Sequence, residues 1–137
     1  MKGSSPQIRR RARERAVQFL FGLDFTSYDW EEHIAAFWAD NLSRAPVKAY
    51  AEQLVRGVVE HRAELDEAIA GALERWTPGR LGHIERNVLR IALYEMRFAE
   101  DVPESVAINE AVEVSRRFGP DDAPRFVNAV LDRLRNG

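Results

Sequence analysis

Residues 84–96 read IERNVLRIALYEM, and this segment says most about the fold. At about 100° per residue, its apolar side chains cover most of the circumference of a helix. A helix that is apolar on most sides must be buried on most sides. We therefore predict that this segment is a central helix surrounded by others.

The segments that follow have one apolar face each. In residues 106–118 the apolar positions share one arc of a helix and the charged positions share the other. The apolar set is Ala107, Ile108, Ala111, Val112, Val114 and Phe118. The last segment offers a further stripe at Phe126, Val127, Val130, Leu131 and Leu134. Both patterns predict amphipathic helices packed on the central one.

The composition favours helix throughout the chain. Ala, Leu, Glu and Arg, which are strong helix formers, supply 61 residues, whereas Thr occurs twice. We predict an all-α fold of about seven helices. Their expected ranges are 6–25, 30–41, 46–62, 64–76, 84–99, 104–118 and 122–135.

The length of 137 residues fits a single domain, 1–137, or two small bundles that share a core. Residues 74–83 contain a dense cluster of Pro and Gly, so we place a boundary there between helical subdomains of about 1–76 and 77–137. The absence of cysteine excludes disulfides and thiolate zinc sites. No signal peptide or membrane-spanning run is present, and we expect a cytoplasmic protein.

The charge is distributed unevenly along the chain. Residues 1–15 hold six basic groups against one acid, which gives +5, whereas the remainder holds 14 basic and 21 acidic groups, which gives −7. A basic tip on an acidic body is typical of proteins that bind an anionic polymer, because a localised field attracts phosphate without coating the whole protein.

The first helix combines this charge with aromatic side chains. Its core stripe is Ile8, Ala12, Ala16, Phe19, Leu20 and Leu23, and its opposite side carries Arg10, Arg11, Glu14, Arg15, Gln18, Phe21 and Phe25. Arg binds phosphate oxygens, aromatic faces stack on unpaired bases, and Gln reaches base edges. The combination indicates single-stranded RNA. The alternatives are that both Phe side chains pack on a neighbouring helix and that the Arg cluster is a solvated face.

Catalytic patterns are missing from the sequence. The three histidines lie far apart, and there is no phosphate-binding glycine loop, nucleophile elbow or dinucleotide fingerprint. We therefore expect no enzyme activity, no metal site and no cofactor.

Several segments together resemble a known family. They are Arg9–Glu14 with Ala16–Gln18, Leu89–Glu95, Asp101–Pro103, Val106–Ala111, Phe118–Gly119 and Phe126–Asp132. In these segments the chain resembles the NusB family of bacterial transcription antitermination factors. The resemblance spans the whole chain and is weakest between Thr26 and Trp76.

The resemblance implies two roughly perpendicular helical subdomains and no catalysis. It implies binding of the single-stranded boxA element of nascent RNA, notably in ribosomal RNA operons. It also implies pairing with the ribosomal small-subunit protein NusE and entry into a complex with NusA, NusG and RNA polymerase that suppresses termination.

The family's functional residues carry over by position. The Arg-rich RNA-binding arm falls on Arg9, Arg10, Arg11 and Arg13, and two further residues near the RNA surface fall on Asp122 and Phe126. The residues implicated in docking NusE fall on Phe21, where the family often has Tyr, and on Glu85. Asp122 also suits a helix N-cap, and Phe126 also suits the core.

Three rival functions remain at this point. One is a helical adaptor that binds only protein. Another is the NusB-like domain that begins certain ribosomal RNA cytosine methyltransferases, which the length disfavours. A helix-turn-helix is disfavoured because the Arg cluster lies at the chain start instead of on a recognition helix.

Overall fold

The computed structural model describes residues 5–74 and 81–136, and within these residues it contains seven α-helices and no strand. This confirms the predicted all-α class. The helices are α1 (Pro6–Leu23), α2 (Trp30–Asp40), α3 (Ala45–Glu60), α4 (Arg62–Leu73), α5 (His83–Phe98), α6 (Glu104–Phe118) and α7 (Ala123–Asn136).

Helix α1 begins with a strong local signal. The Ser5 hydroxyl accepts a hydrogen bond from the Ile8 amide at 3.1 Å, and Pro6 occupies the first turn. A Ser cap satisfies an amide that has no partner in the helix, and Pro has no amide to satisfy there. The arginines that follow are therefore held on a regular helix.

Some helix ends differ from the predicted ones. Helix α1 stops at Leu23, two residues early, because the Phe25 and Thr26 amides turn back to Gly22 and Leu23. Helix α4 begins at Arg62 instead of residue 64. Its predicted end and most of the predicted boundary at 74–83 lie outside the described residues.

Helix α5 is central, as its apolar circumference predicts. It contacts α1, α3, α4, α6 and α7, and its residues Val88, Leu89, Ile91, Ala92 and Leu93 are buried. The expected faces of α1 and α6 also point inward, with Ala12, Ala16 and Leu20 buried on α1 and Ala107, Ile108 and Ala111 buried on α6.

The buried apolar side chains form one continuous cluster to which all seven helices contribute. The division into subdomains of about 1–76 and 77–137 therefore stays a prediction. No helix in the described ranges has both the length and the apolar character that a bilayer crossing requires.

Candidate functional site

The first three turns of α1 carry the predicted RNA-binding arginines. Residues Arg9–Arg15 all lie within the helix, and each arginine has a hydrogen-bond or ion-pair partner. The cluster contains both exposed and buried side chains.

Among the exposed arginines of this cluster, Arg10 makes an ion pair with two hydrogen bonds. Its Nε donates to Glu110 Oε1 at 2.8 Å and its Nη2 donates to Glu110 Oε2 at 2.7 Å. Such a two-pronged contact is the strongest arrangement between guanidinium and carboxylate. The hydrogen bond with Glu110 raises the pKa of Arg10, and the same bond lowers the pKa of Glu110.

Arg9 and Arg11 flank Arg10 and have other carboxylate partners, and the Arg9 side chain is only 12% exposed. Arg9 Nη2 donates to Asp101 at 2.7 Å while its guanidinium lies 4.5 Å from the centre of the Tyr50 ring. Arg11 Nη1 donates to Glu14 one turn along the helix at 3.0 Å. Arg10 and Arg11 keep 47% and 43% of their side-chain surface exposed, so incoming phosphates can reach both.

Arg13 points into the protein. Its Nε donates to both Glu95 oxygens, at 2.9 and 3.1 Å, and its Nη1 lies 3.6 Å from Glu110. Glu95 is completely buried and also accepts from the Tyr50 hydroxyl. Burial is the largest single influence and lowers the pKa of Arg13, but the charge of Glu95, the hydrogen bond to it and the nearby Glu110 together outweigh burial and raise the pKa above its usual value. Arg13 therefore ties α1 to α5.

Arg15 and Gln18 lie on the side of α1 that faces the loop after α2. Arg15 donates to Ser43 Oγ, to Asn41 Oδ1, to the Leu42 carbonyl and to Gln18 Oε1 at 3.0 to 3.3 Å. These bonds fix the loop against α1. They also hold the Gln18 amide one turn beyond the basic cluster.

The tertiary structure adds a cation that the sequence analysis did not assign. Arg117, near the end of α6, lies 3.8 Å from Glu14 and is 59% exposed. Since Glu14 also accepts from Arg11, the two arginines share one carboxylate. The adjacent Arg116–Arg117 pair at a helix C-terminus is the sequence signal that indicates an exposed basic group.

Asp122 and Phe126 lie at the start of α7. The Asp122 carbonyl accepts from the Phe126 amide at 3.1 Å, which places Asp122 at the helix entry, and its side chain is exposed. Phe126 is 6% exposed and belongs to the core cluster. Asp122 thus lies directly before the first residue of α7 and Phe126 lies in the core, while an RNA role for either residue stays a prediction.

An aromatic patch lies at the other end of α1. Phe21 and Phe25 are 38% and 63% exposed, and their ring centres are 5.3 Å apart. His83, at the start of α5, completes the patch with its ring 4.7 Å from that of Phe25. The two Phe side chains are thus accessible at the surface, in contrast to the alternative that they are covered by a neighbouring helix.

Glu85 lies in the first turn of α5, two residues after His83. It is 2% exposed, and its Oε1 accepts from the Gly82 amide at 3.0 Å, which stabilises the first turn of α5. Glu85 therefore positions the backbone next to His83, and a direct contact with a partner stays a prediction.

A buried polar network fixes the same end of α1. Arg90 donates to Asp24 at 3.0 Å and to both oxygens of Asp66 at 2.7 and 2.8 Å. Asp24 also accepts from Tyr28 and Asn87. Burial alone raises the pKa of Asp24, but these hydrogen bonds lower it below its usual value. The network joins α1, α4 and α5.

The arrangement is suited to binding an anionic polymer. Its exposed groups are guanidinium forks and aromatic faces, which hold anions and unpaired bases. In the described parts of the chain, no set of three His, Asp or Glu side chains converges as metal ligands would. The geometry thus fits an extended polyanion along α1.

Known proteins resemble this chain over almost its entire length. The model of the NusB family matches residues 10–136. The transcription antitermination protein NusB of Geobacter sulfurreducens is 39% identical, with 92% of each chain covered. That of Bacillus velezensis is 42% identical, with 93% of this chain and 95% of its own covered.

Solved structures agree with these sequence relatives. NusB from T. maritima superposes with a TM-score of 0.82 at 35% identity, covering 97% of this chain and 92% of its own. A chain from a crystal structure of antitermination factors NusB and NusE in complex with dsRNA gives 0.84 at 26% identity, covering 96% and 98%. The chain described here therefore belongs to the NusB family.

Proposed function

We propose that this protein is a transcription antitermination factor that binds boxA RNA of nascent ribosomal RNA transcripts together with the ribosomal protein NusE. We propose further that the pair joins NusA, NusG and RNA polymerase and that the protein acts by binding, without catalysis. The observation that carries the proposal is the pair of exposed arginines, Arg10 and Arg11, near the start of α1. The similar proteins are named transcription antitermination proteins, which supports the same function.

The RNA surface that we propose runs along the first turns of α1. Arg9, Arg10 and Arg11 contact phosphates, and Arg117 extends the basic strip onto α6. Because Arg13 is buried, we assign it the role of holding Glu110 and Glu95 behind the exposed arginines. Gln18, Asp122 and Phe126 remain the candidates for contacts at the ends of this strip.

The partner surface that we propose is the patch of Phe21, Phe25 and His83. Glu85 contributes by stabilising the first turn of α5, which carries His83. Exposed aromatic side chains on a rigid helix are typical anchors of protein interfaces. The solved relative that contains NusB together with NusE and dsRNA supports a partner of this kind.

A titration of boxA RNA tests the proposal. Fluorescence anisotropy of a labelled single-stranded boxA oligonucleotide is measured with the wild-type protein, with and without NusE, over a range of salt concentrations. We expect binding that weakens with salt by about 0.7 logarithmic units per phosphate contact for each logarithmic unit of salt, and that tightens when NusE is present.

The variant for this test is the double substitution Arg10→Ala with Arg11→Ala. Binding of the oligonucleotide should weaken by at least about tenfold at physiological salt, while thermal stability changes little because both side chains are at the surface. Arg56→Ala with Arg133→Ala removes two exposed arginines of α3 and α7 and serves as the matched control. RNA binding that survives the α1 double substitution contradicts the proposed surface.

The alternative, a helical adaptor that binds only protein, predicts a different result in the same experiment. The exposed aromatic patch alone suits a protein that binds only protein. In that case the protein binds NusE, while the oligonucleotide shows no change in anisotropy at any salt concentration.

A further inference from the structure

We infer that Glu110 is an internal competitor for RNA: it occupies the guanidinium of Arg10 in the unbound protein and thereby sets the affinity of the basic surface. The inference rests on the proposed function, since it concerns the same arginine. It adds a residue of α6 that neither charge patterning nor family resemblance assigned.

The geometry of the pair is that of a phosphate contact. Arg10 gives Nε and Nη2 to the two Glu110 oxygens, at 2.8 and 2.7 Å. The same edge of a guanidinium is the one that binds two phosphate oxygens, so the carboxylate and an RNA phosphate cannot both use it. A phosphate at the other edge of Arg10 would still be repelled by the nearby carboxylate.

The surroundings of Glu110 make an exchange feasible. Its side chain is 17% exposed, so it is shielded from water but still reachable at the surface. Its Oε1 also lies 3.6 Å from Arg13 Nη1. When RNA takes Arg10, Glu110 therefore keeps a cation beside it, and the large cost of leaving a carboxylate unpaired in a shielded place is avoided.

The other carboxylates near the strip differ from Glu110. Asp101 is 55% exposed and meets Arg9 through one hydrogen bond. Glu14 takes one hydrogen bond from Arg11 and is shared with Arg117. Among these pairs of the described chain, the two-pronged contact belongs to Glu110, and it gives the strongest competition with phosphate.

The test compares Glu110→Gln with Glu113→Gln. Both changes remove one negative charge from α6, but Glu113 pairs with Arg116 at 3.5 Å and makes no hydrogen bond to Arg10. In the boxA titration, Glu110→Gln should tighten binding by about tenfold, because a neutral amide competes weakly with phosphate for a guanidinium. Glu113→Gln should tighten it by less than about twofold at 0.15 M salt, where exposed charges are screened.

A double-substitution cycle locates the effect. When Arg10→Ala is already present, Glu110→Gln should leave the affinity unchanged within about twofold, since the competitor has lost its target. If Glu110→Gln tightens binding equally with and without Arg10, or no more than Glu113→Gln does, the inference is overturned.

A measurement on the wild-type protein gives a result that does not depend on the stability of any variant. NMR of the Glu110 side-chain carboxyl carbon and the Arg10 Nε–H group follows both partners during the RNA titration. Both signals should move together as RNA saturates the protein. An unchanged Glu110 signal at saturation overturns the inference, whereas the absence of RNA binding by the wild-type protein, with or without NusE, rejects the proposed function itself.

Discussion

Neighbouring arginines of α1 have different physical roles, although the sequence presents them as one basic run. Arg10 and Arg11 are exposed, whereas Arg13 is buried and bonded to the fully buried Glu95. A surface pair contributes little to folding because water screens it, but removing one partner of a buried pair leaves an uncompensated charge.

Arg13→Ala should therefore destabilise the protein by about 3–5 kcal/mol, because Glu95 is left charged and buried. Urea unfolding followed by circular dichroism measures this change. Arg11→Ala, the control on the same helix, should cost about 0–1 kcal/mol. Equal losses for the two variants would contradict the assignment of Arg13 to the interior.

At the scale of the element, the C-terminal end of α1 is held by Asp24 in the network with Arg90 and Asn87. The pKa of Asp24 in the folded protein is lower than its ordinary value. A carboxyl group of this kind stabilises the fold above the unfolded-state pKa of about 3.9 and loses that contribution as the pH falls through the folded pKa.

Asp24→Asn should consequently lower the melting temperature at pH 7, and the difference from wild type should shrink as the pH falls below about 4. Thermal melts from pH 7 to pH 3 measure both quantities. Asp121→Asn, in the exposed turn before α7, is the control that should stay close to wild type throughout. A difference that is constant with pH would mean that the Asp24 charge does not stabilise α1.

At the scale of the whole molecule, α1 connects two surfaces. The basic residues lie at its start and the aromatic patch at its end, and Arg10 and Phe21 are about 16 Å apart along the helix at 1.5 Å per residue. We therefore expect ligands on the two proposed surfaces to lie close enough to touch each other, which would couple the two binding events without any change of fold.

Phe21 provides the test of this arrangement. Phe21→Ala should weaken NusE binding by about tenfold in calorimetry and leave binding of RNA alone unchanged. Phe21→Tyr should tighten NusE binding about two- to tenfold if the added hydroxyl makes a hydrogen bond to the partner. Phe98→Ala is the matched control, since Phe98 has the same 38% exposure but lies at the far end of α5. Loss of RNA binding with Phe21→Ala alone would contradict two separate surfaces.

Local sequence patterns were enough to predict the seven helices, the central place of α5 and the inward faces of α1 and α6. These features follow from the spacing of apolar residues and from local capping, which act over a few positions of the chain. The basic character of α1 was also readable in this way, whereas the sequence left open whether Phe21 and Phe25 are exposed or covered by a neighbouring helix, and the structure leaves them exposed.

The pairing of the charged side chains, in contrast, depends on the tertiary structure. Arg10 and Glu110 are 100 positions apart, and Arg13 and Glu95 are 82 apart. No local pattern couples such distant residues, because their contact depends on how α1, α5 and α6 pack around a common core. The packing therefore separates a buried arginine from exposed ones within a single turn and places Glu110 beside Arg10 of the surface that we propose for RNA.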